Sequence, residues 1–404
     1  MADITNSTQA RNQPDVFTLV ALAGIGAMAM NIYLPSMPAM VSYFETSPAK
    51  VQLTVSLFLA FNAVFQLVIG PLSDRYGRRP IMLSGLVIFC FASLACLLAP
   101  TIESFLVARV FQAAVVTGMI LSRAAVRDMF STDKAASMIG YVTMGMAIVP
   151  MFAPALGGWM EKFYGWQASF VTLLVFGILV LILAYFKFTE TNQNRQPSVV
   201  AQFRAYPELL SSRRFWGYVI AAATCSGAFF AYLGGAPFVG SAIFGLKEAE
   251  LGAYLSTPAI GYFIGNFISG RYAVRVGVNK MIIGGSFLAV TGMGLNLILF
   301  TFGSPGPMVF FGLMIAMGLG NGMCLPNAMS GMMSVRPHLA GSATGIGGTI
   351  MTGGGAALSV LASTIVDVES GATSLLWIMT VSSVFPMFAI GYVLWREREI
   401  QSPA

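Results

Sequence analysis

Charge is scarce in this chain: Asp, Glu, Lys and Arg make up 9% of its 404 residues. A soluble protein of that length carries about a quarter, so a set of water-exposed domains is excluded. Histidine occurs once, at His338, and cysteine four times, at Cys90, Cys96, Cys225 and Cys324, without the spacing of a metal or redox centre. The cysteines read as apolar filler and no disulfide framework is expected. There is no phosphate-binding glycine loop and no nucleophile, base and orienter set, so neither an ATP-driven machine nor an enzyme is expected.

What is abundant is apolar sequence, 56% of residues, with a mean hydropathy of +0.77. A membrane span needs roughly 20 such residues. Twelve stretches qualify, near 15–37, 50–70, 80–99, 102–124, 135–157, 167–187, 215–237, 250–270, 280–301, 306–329, 341–364 and 373–395. The first lacks a small-residue cleavage site and is expected to stay as helix 1. The expected fold is therefore all-α and integral to the membrane. It comprises a tail (1–14), a six-helix bundle (15–187), a polar linker (188–214), a second six-helix bundle (215–396) and a tail (397–404).

Seventeen basic residues fall on the side of the termini, among them Arg75, Arg78, Arg79, Arg127, Lys134, Lys187, Arg271, Arg275 and Arg396, against Lys50, Lys162 and Lys247 on the other. That asymmetry puts both termini in the cytoplasm. The net charge of +6 is thus a topology signal, and no nucleic-acid partner is implied. Trp159, Trp166, Trp216, Trp377 and Trp395 are all expected in the headgroup layer.

The two halves repeat. Gly70, Arg75 and Gly77, between spans 2 and 3, recur 200 residues later as Gly270, Arg275 and Gly277. Asn62 and Gln66 align with Tyr262 and Asn266, so polar side chains recur one helical turn apart at equivalent depth. Two pseudo-symmetric bundles of this kind suit alternating access, in which one half rocks against the other.

The segment from Gly70 to Arg79 resembles the loop signature of the major facilitator superfamily, with Ser73 its single departure. Asn31-Ile32-Tyr33-Leu34-Pro35, Val126-Arg127-Asp128 and Gly165-Trp166-Gln167-Ala168-Ser169-Phe170 resemble segments of its Bcr/CflA branch of drug exporters. The resemblance covers almost the whole chain. It implies the major facilitator fold and export of amphenicol- or bicyclomycin-like small molecules in exchange for protons, with no cofactor beyond the proton and with function as a monomer. Asp74, beside Arg75, Arg78, Arg79, Arg127 and Asp128, with Gly70 and Gly77, reads as an inner gate latch, against simple anchoring by positive charge. Helix 5 resembles the exporters' glycine-proline pattern at Gly140, Pro154, Gly157 and Gly158, while Val149 and Ala153 replace two of its glycines.

Arg109 sits about 8 to 10 Å into helix 4 at helical rise, where an unpaired arginine costs at least about 2.5 kcal/mol. With Gln112 one turn on, it resembles the family's Arg-x-x-Gln motif, implicated in proton coupling. Asn31 of helix 1 comes to similar depth, and the two are expected to meet. Close relatives usually carry aspartate there, and asparagine cannot carry a proton. All sixteen acids map to loops or span ends. Three readings follow: an engineered substitution imitating protonated aspartate, a natural transporter coupled elsewhere, or a facilitator without proton coupling.

Substrate contact is expected from Tyr33, Gln112, Phe229, Phe230, Tyr232, Tyr262, Asn266 and Asn327, with methionines such as Met28, Met30, Met144 and Met146, because aromatic and thioether groups adapt to varied apolar ligands. With Arg109 the charge at pocket depth, neutral or weakly anionic compounds are expected. A metabolite facilitator is the nearest alternative, and a transporter-fold membrane sensor is a more distant one.

Overall fold

The computed structural model describes residues 14–129, 132–192, 206–303, 305–336, 339–366 and 371–401. Arg11, Arg195, Arg204 and His338 lie outside them. Twelve helical rods follow in order: α1 (Val16–Tyr43), α2 (Pro48–Tyr76), α3 (Arg78–Leu97), α4 (Ile102–Met129), α5 (Thr132–Tyr164), α6 (Gln167–Lys187), α7 (Arg213–Ile243), α8 (248–276), α9 (Val278–Phe302), α10 (Pro307–Val335), α11 (Ala340–Ile365) and α12 (Gly371–Gln401). Among the described residues, ten rods hold a segment long and apolar enough to cross a membrane. The two others are α5, several of whose side chains lie outside the described set, and α8. The latter is broken at Ser256 and carries Thr257, Tyr262, Asn266, Ser269 and Arg271.

The duplication is visible in backbone geometry. Gly77 ends α2 at φ 105° and Gly277 ends α8 at φ 94°, each starting the next helix without a loop. With ψ near 150°, these are conformations that an L side chain strains to adopt. The contacts between the halves are also paired: α2 lies along α11 and α5 along α8, the same helix pair after exchange of halves. By contrast α4 and α10 pack mainly within their own halves.

The linker divides its attachments. Glu190 accepts the amides of Arg78 and Arg79, and Asn192 donates to the Asp74 carbonyl, so its start belongs to the first half. A short helix, Tyr206–Leu210, belongs to the second, through the ion pair Glu208–Arg336 at 3.1 Å and the Trp216 indole, which donates to Leu210 O at 2.7 Å.

One expectation about the tryptophans fails. Trp159, Trp216, Trp377 and Trp395 are exposed at span ends, but Trp166 is 4% exposed. It is enclosed by Tyr43, Phe44, Phe105 and Phe170, because the tight turn at Gly165 points it into the bundle rather than toward lipid.

Gly277→Ala should lower the thermal unfolding temperature in detergent, with a cost of about 1–3 kcal/mol. Gly270→Ala, whose added carbon meets nothing within 4 Å inside a helix, should be neutral or slightly stabilising, and the pair of unfolding curves checks both.

Candidate functional site

Arg109 is fully buried in the first half. Two helix irregularities surround it. The α-helical part of α1 ends at Asn31 and gives way to a 3-10 turn at Leu34–Ser36, where Pro35 removes an amide donor. The helix of α4 gives way to a 3-10 turn at Ala113–Val115, just after Gln112. Carbonyls in a last helical turn lack their usual donors, and Arg109 fills one of them: its Nη1 donates to Ala29 O at 3.2 Å and also to Gln112 Oε1. Gln112 in turn donates to Ser93 Oγ at 2.8 Å, and Ser93 to Phe89 O.

The guanidinium lies between the rings of Tyr33 and Phe58, each centroid 4.4 Å from its central carbon. A desolvated cation over an aromatic face gains about 2 kcal/mol, and two faces offset part of the burial cost. Among the described residues no carboxylate pairs with Arg109, and its Nε and Nη2 have no acceptor. The result is a buried cation with two unused donors.

Arg109 and Gln112 are thus brought together, but Asn31 does not join them. Ala29 and Tyr33, one turn apart, face α4, whereas Asn31, two residues from each, is turned about 200° away. Its amide donates to Ala27 O at 2.7 Å within its own helix. The expected side-chain meeting is replaced by a contact between Arg109 and the α1 backbone.

Several expected substrate contacts are structural. Tyr33 is fully buried in the arginine cage, with its hydroxyl 3.1 Å from Thr54 Oγ1. Tyr232 is fully buried and donates to the carbonyls of Tyr254 and Leu255. Asn327 is buried and donates to Ser269 Oγ and Met323 O, tying α10 to α8. Tyr262 and Asn266 remain half-buried, the latter donating to the Tyr262 carbonyl, and Tyr262 faces the half-buried Arg123 of α4 across the halves. Phe229 and Phe230 are half-buried, and Phe230 covers Gly355 of α11.

At the face bearing the termini, Arg78 pairs with Asp74 at 2.5 Å and with Asp128 at 3.0 Å. Of the four arginines expected around Asp74, Arg78, the first residue of α3 just past the break at Gly77, makes an ion pair with it. Arg79 donates to Tyr185 O and stacks on its ring, Arg75 lies over Tyr76, and Arg127 is exposed. These pairs join α2, α3 and α4 within one half. Among the described residues, no atom lies within 4 Å of a carbon added to Gly70 or Gly270, whereas Ser73 and Gly77 of the same motif are buried.

The opposite, far face is where the halves meet most closely. A carbon added to Gly158 would lie 2.2 Å from Glu248 O and one added to Gly252 2.4 Å from Pro154 O, across the halves, while one added to Gly157 would lie 1.6 Å from Ile32 O within the first half. Backbone therefore touches backbone from α5 to α1 and from α5 to α8. Gly140 also lies on α5, but its surroundings are outside the described set. Val149 takes up the space beside Gly24, and Ala153 is buried.

A polar seam that sequence reading largely missed joins α2 to α11. Ser56 donates to Ser359 at 3.2 Å, Gln66 to Thr352 at 3.0 Å, and Thr349 to Ala63 O at 3.3 Å. Only Asn62 and Gln66, bonded to one another at 2.8 Å, signalled it; small hydroxyl residues are too common in membrane helices to stand out.

The sequence profile of the Major Facilitator Superfamily matches residues 19–360. The chain belongs to that superfamily. It is 27% identical over 395 residues to the bicyclomycin resistance protein homolog of Haemophilus influenzae, covering 96% of this chain and 97% of that one. It is 28% identical over 333 residues to the chloramphenicol resistance protein of Pseudomonas aeruginosa, covering 80% and 77%. The crystal structure of a D-xylose-proton symporter superposes with a TM-score of 0.72 at 14% identity, over 94% and 96% of the chains, which shows the shared fold. Members of this superfamily are membrane transporters rather than enzymes, and this chain is a multi-pass protein of that architecture.

Arg109→Lys should cost about 2 kcal/mol of stability, because an ammonium cannot keep the planar stacking between the Tyr33 and Phe58 rings. Tyr232→Phe should cost about 1 kcal/mol through its lost hydrogen bond while leaving ligand affinity unchanged. Detergent unfolding alongside ligand titration separates the two effects.

Proposed function

We propose that this transporter exports small, mostly apolar, neutral or weakly anionic compounds by alternating access, with both termini in the cytoplasm and protons as the coupling ion. The observation that carries the reading is the far-face closure made by Gly158 of α5 against α8, with Gly157 seating α5 on α1 of its own half, which gives a physical role to the part of the exporter pattern that this chain keeps. Names of relatives support the substrate class: two that align over most of the chain are described as bicyclomycin and chloramphenicol resistance proteins. In the proposed orientation the far face is external, so the described conformation is sealed outside, with α4 and α10 packed mainly within their own halves. Half-buried Tyr262, Asn266, Phe229 and Phe230 would then meet the substrate, and the Asp74 cluster would latch the cytoplasmic ends in the opposite state. The compound acts as a small-molecule substrate on a single copy of the chain within the bilayer.

Asn31 favours a second reading, a facilitator without proton coupling. Position 31 offers no titratable group, and Arg109 has no carboxylate partner among the described residues. A sensor that binds without moving its ligand has no observation in its favour.

Expression in an efflux-deficient host should raise tolerance to amphenicol- or bicyclomycin-like drugs. Asn31→Asp should make flux in proteoliposomes depend more steeply on an imposed pH gradient. Unchanged susceptibility with no measurable flux would reject export, and equal flux by both forms at every gradient would reject coupling through position 31.

A further inference from the structure

Glu161 is the acid that stands out at the far-face closure. It lies on α5 one turn beyond Gly158, past the apolar span that ends near residue 157 and amid the exposed aromatics Trp159, Phe163 and Tyr164. Its Oε2 is buried and has no hydrogen-bond partner. Beside it is the hydroxyl of Ser36 in the 3-10 turn of α1, fully buried and equally without a partner in bonding geometry. The serine hydroxyl has its own proton and can donate to the carboxyl in either state, but a negative charge held at a buried contact is costly.

The charges that bear on the carboxyl sharpen this. Across the contact, from α8, stands the exposed Glu248, whose backbone carbonyl touches Gly158. Its neighbours Lys247 and Glu250 are exposed, the amide of the first donating to the carboxylate of the second. On α5 itself Lys162 is exposed and lies over the Phe163 ring. The described part of α1 offers no charged group here, only the Ser36 hydroxyl. Burial first, and then the like charge of Glu248, push the Glu161 carboxyl above its usual range, against a smaller opposing effect of Ser36.

We propose that Glu161 is a proton-operated latch of the far face: protonated, it brings no charge into the contact and lets α5 seat against α8; ionised, it drives them apart. Opening separates Glu161 from Glu248 and returns the carboxylate to water. Because the closed state holds the proton more tightly than the open one, closure is favoured at low pH and lost as pH rises through the raised value. Under the export reading, on which its physiological sense rests, external acid would reset the carrier to its inward-facing state without a carboxylate at position 31.

The test uses the full chain in lipid nanodiscs with spin labels on exposed far-face positions, Ser42→Cys in the first half and Phe302→Cys in the second, read as a distance distribution between about pH 5 and pH 8. The expected result is a short-distance population that shrinks as pH rises. Glu161→Gln should keep it at every pH, and Glu248→Gln should shift the transition to lower pH. A wild-type distribution that ignores pH, or a Glu161→Gln profile that follows the wild type, would overturn the proposal; monodisperse elution shows that each variant is folded. Neither readout needs a substrate, so failure of the latch is separate from failure of the export reading.

Discussion

Everything on the far face depends on how closely three helix backbones can approach. At Gly157, Gly158 and Gly252 there is no side chain to hold α5 away from α1 and α8, and carbonyl oxygens occupy the places where methyl groups would be. Lipid tails are as apolar as leucine, so helices in a membrane associate through packing and hydrogen bonds. A backbone contact of this kind makes a pivot that is tight yet carries few directional bonds. The α2–α11 seam, with its hydroxyl and amide bonds, is the opposite kind of contact. Together they give two halves joined firmly along one side and sealed at one end.

Arg109 belongs to the rigid part of this machine. Its charge is placed by two helix breaks, which supply a free carbonyl and a following turn, and by two rings that sandwich it. Its Nε and Nη2 have no acceptor among the described residues. A buried cation so arranged resists movement of α1 relative to α4, which lets the first bundle turn as one body while the far contacts open and close.

Much of the fold was legible because it is written in periodic or punctuating residues. Twelve apolar stretches, the polar gap before Arg213, and the glycine pair Gly77 and Gly277 each correspond to a structural feature that those residue types impose. The glycines carry a backbone angle few other residues accept. The candidate site was legible only in part. Arg109 and Gln112 announced themselves by charge and spacing, but the direction of Asn31 depends on where α1 stops being helical. Trp166, Tyr232 and Asn327 look like surface or pocket residues in sequence and are buried in structure, since a polar tip satisfied by a neighbouring helix leaves no local signature. Glu161 reads as an ordinary span-end acid, and its burial comes from contacts with α1 and from a helix nearly a hundred positions away.

The central claim is that the far ends must part for this chain to move its substrate. The direct measurement is efflux from cells carrying Lys162→Cys and Lys247→Cys, two exposed positions on α5 and at the start of α8, before and after tethering with a short, cleavable thiol cross-linker. Efflux should stop on tethering and resume on cleavage; undiminished efflux by the fully tethered protein would contradict the account.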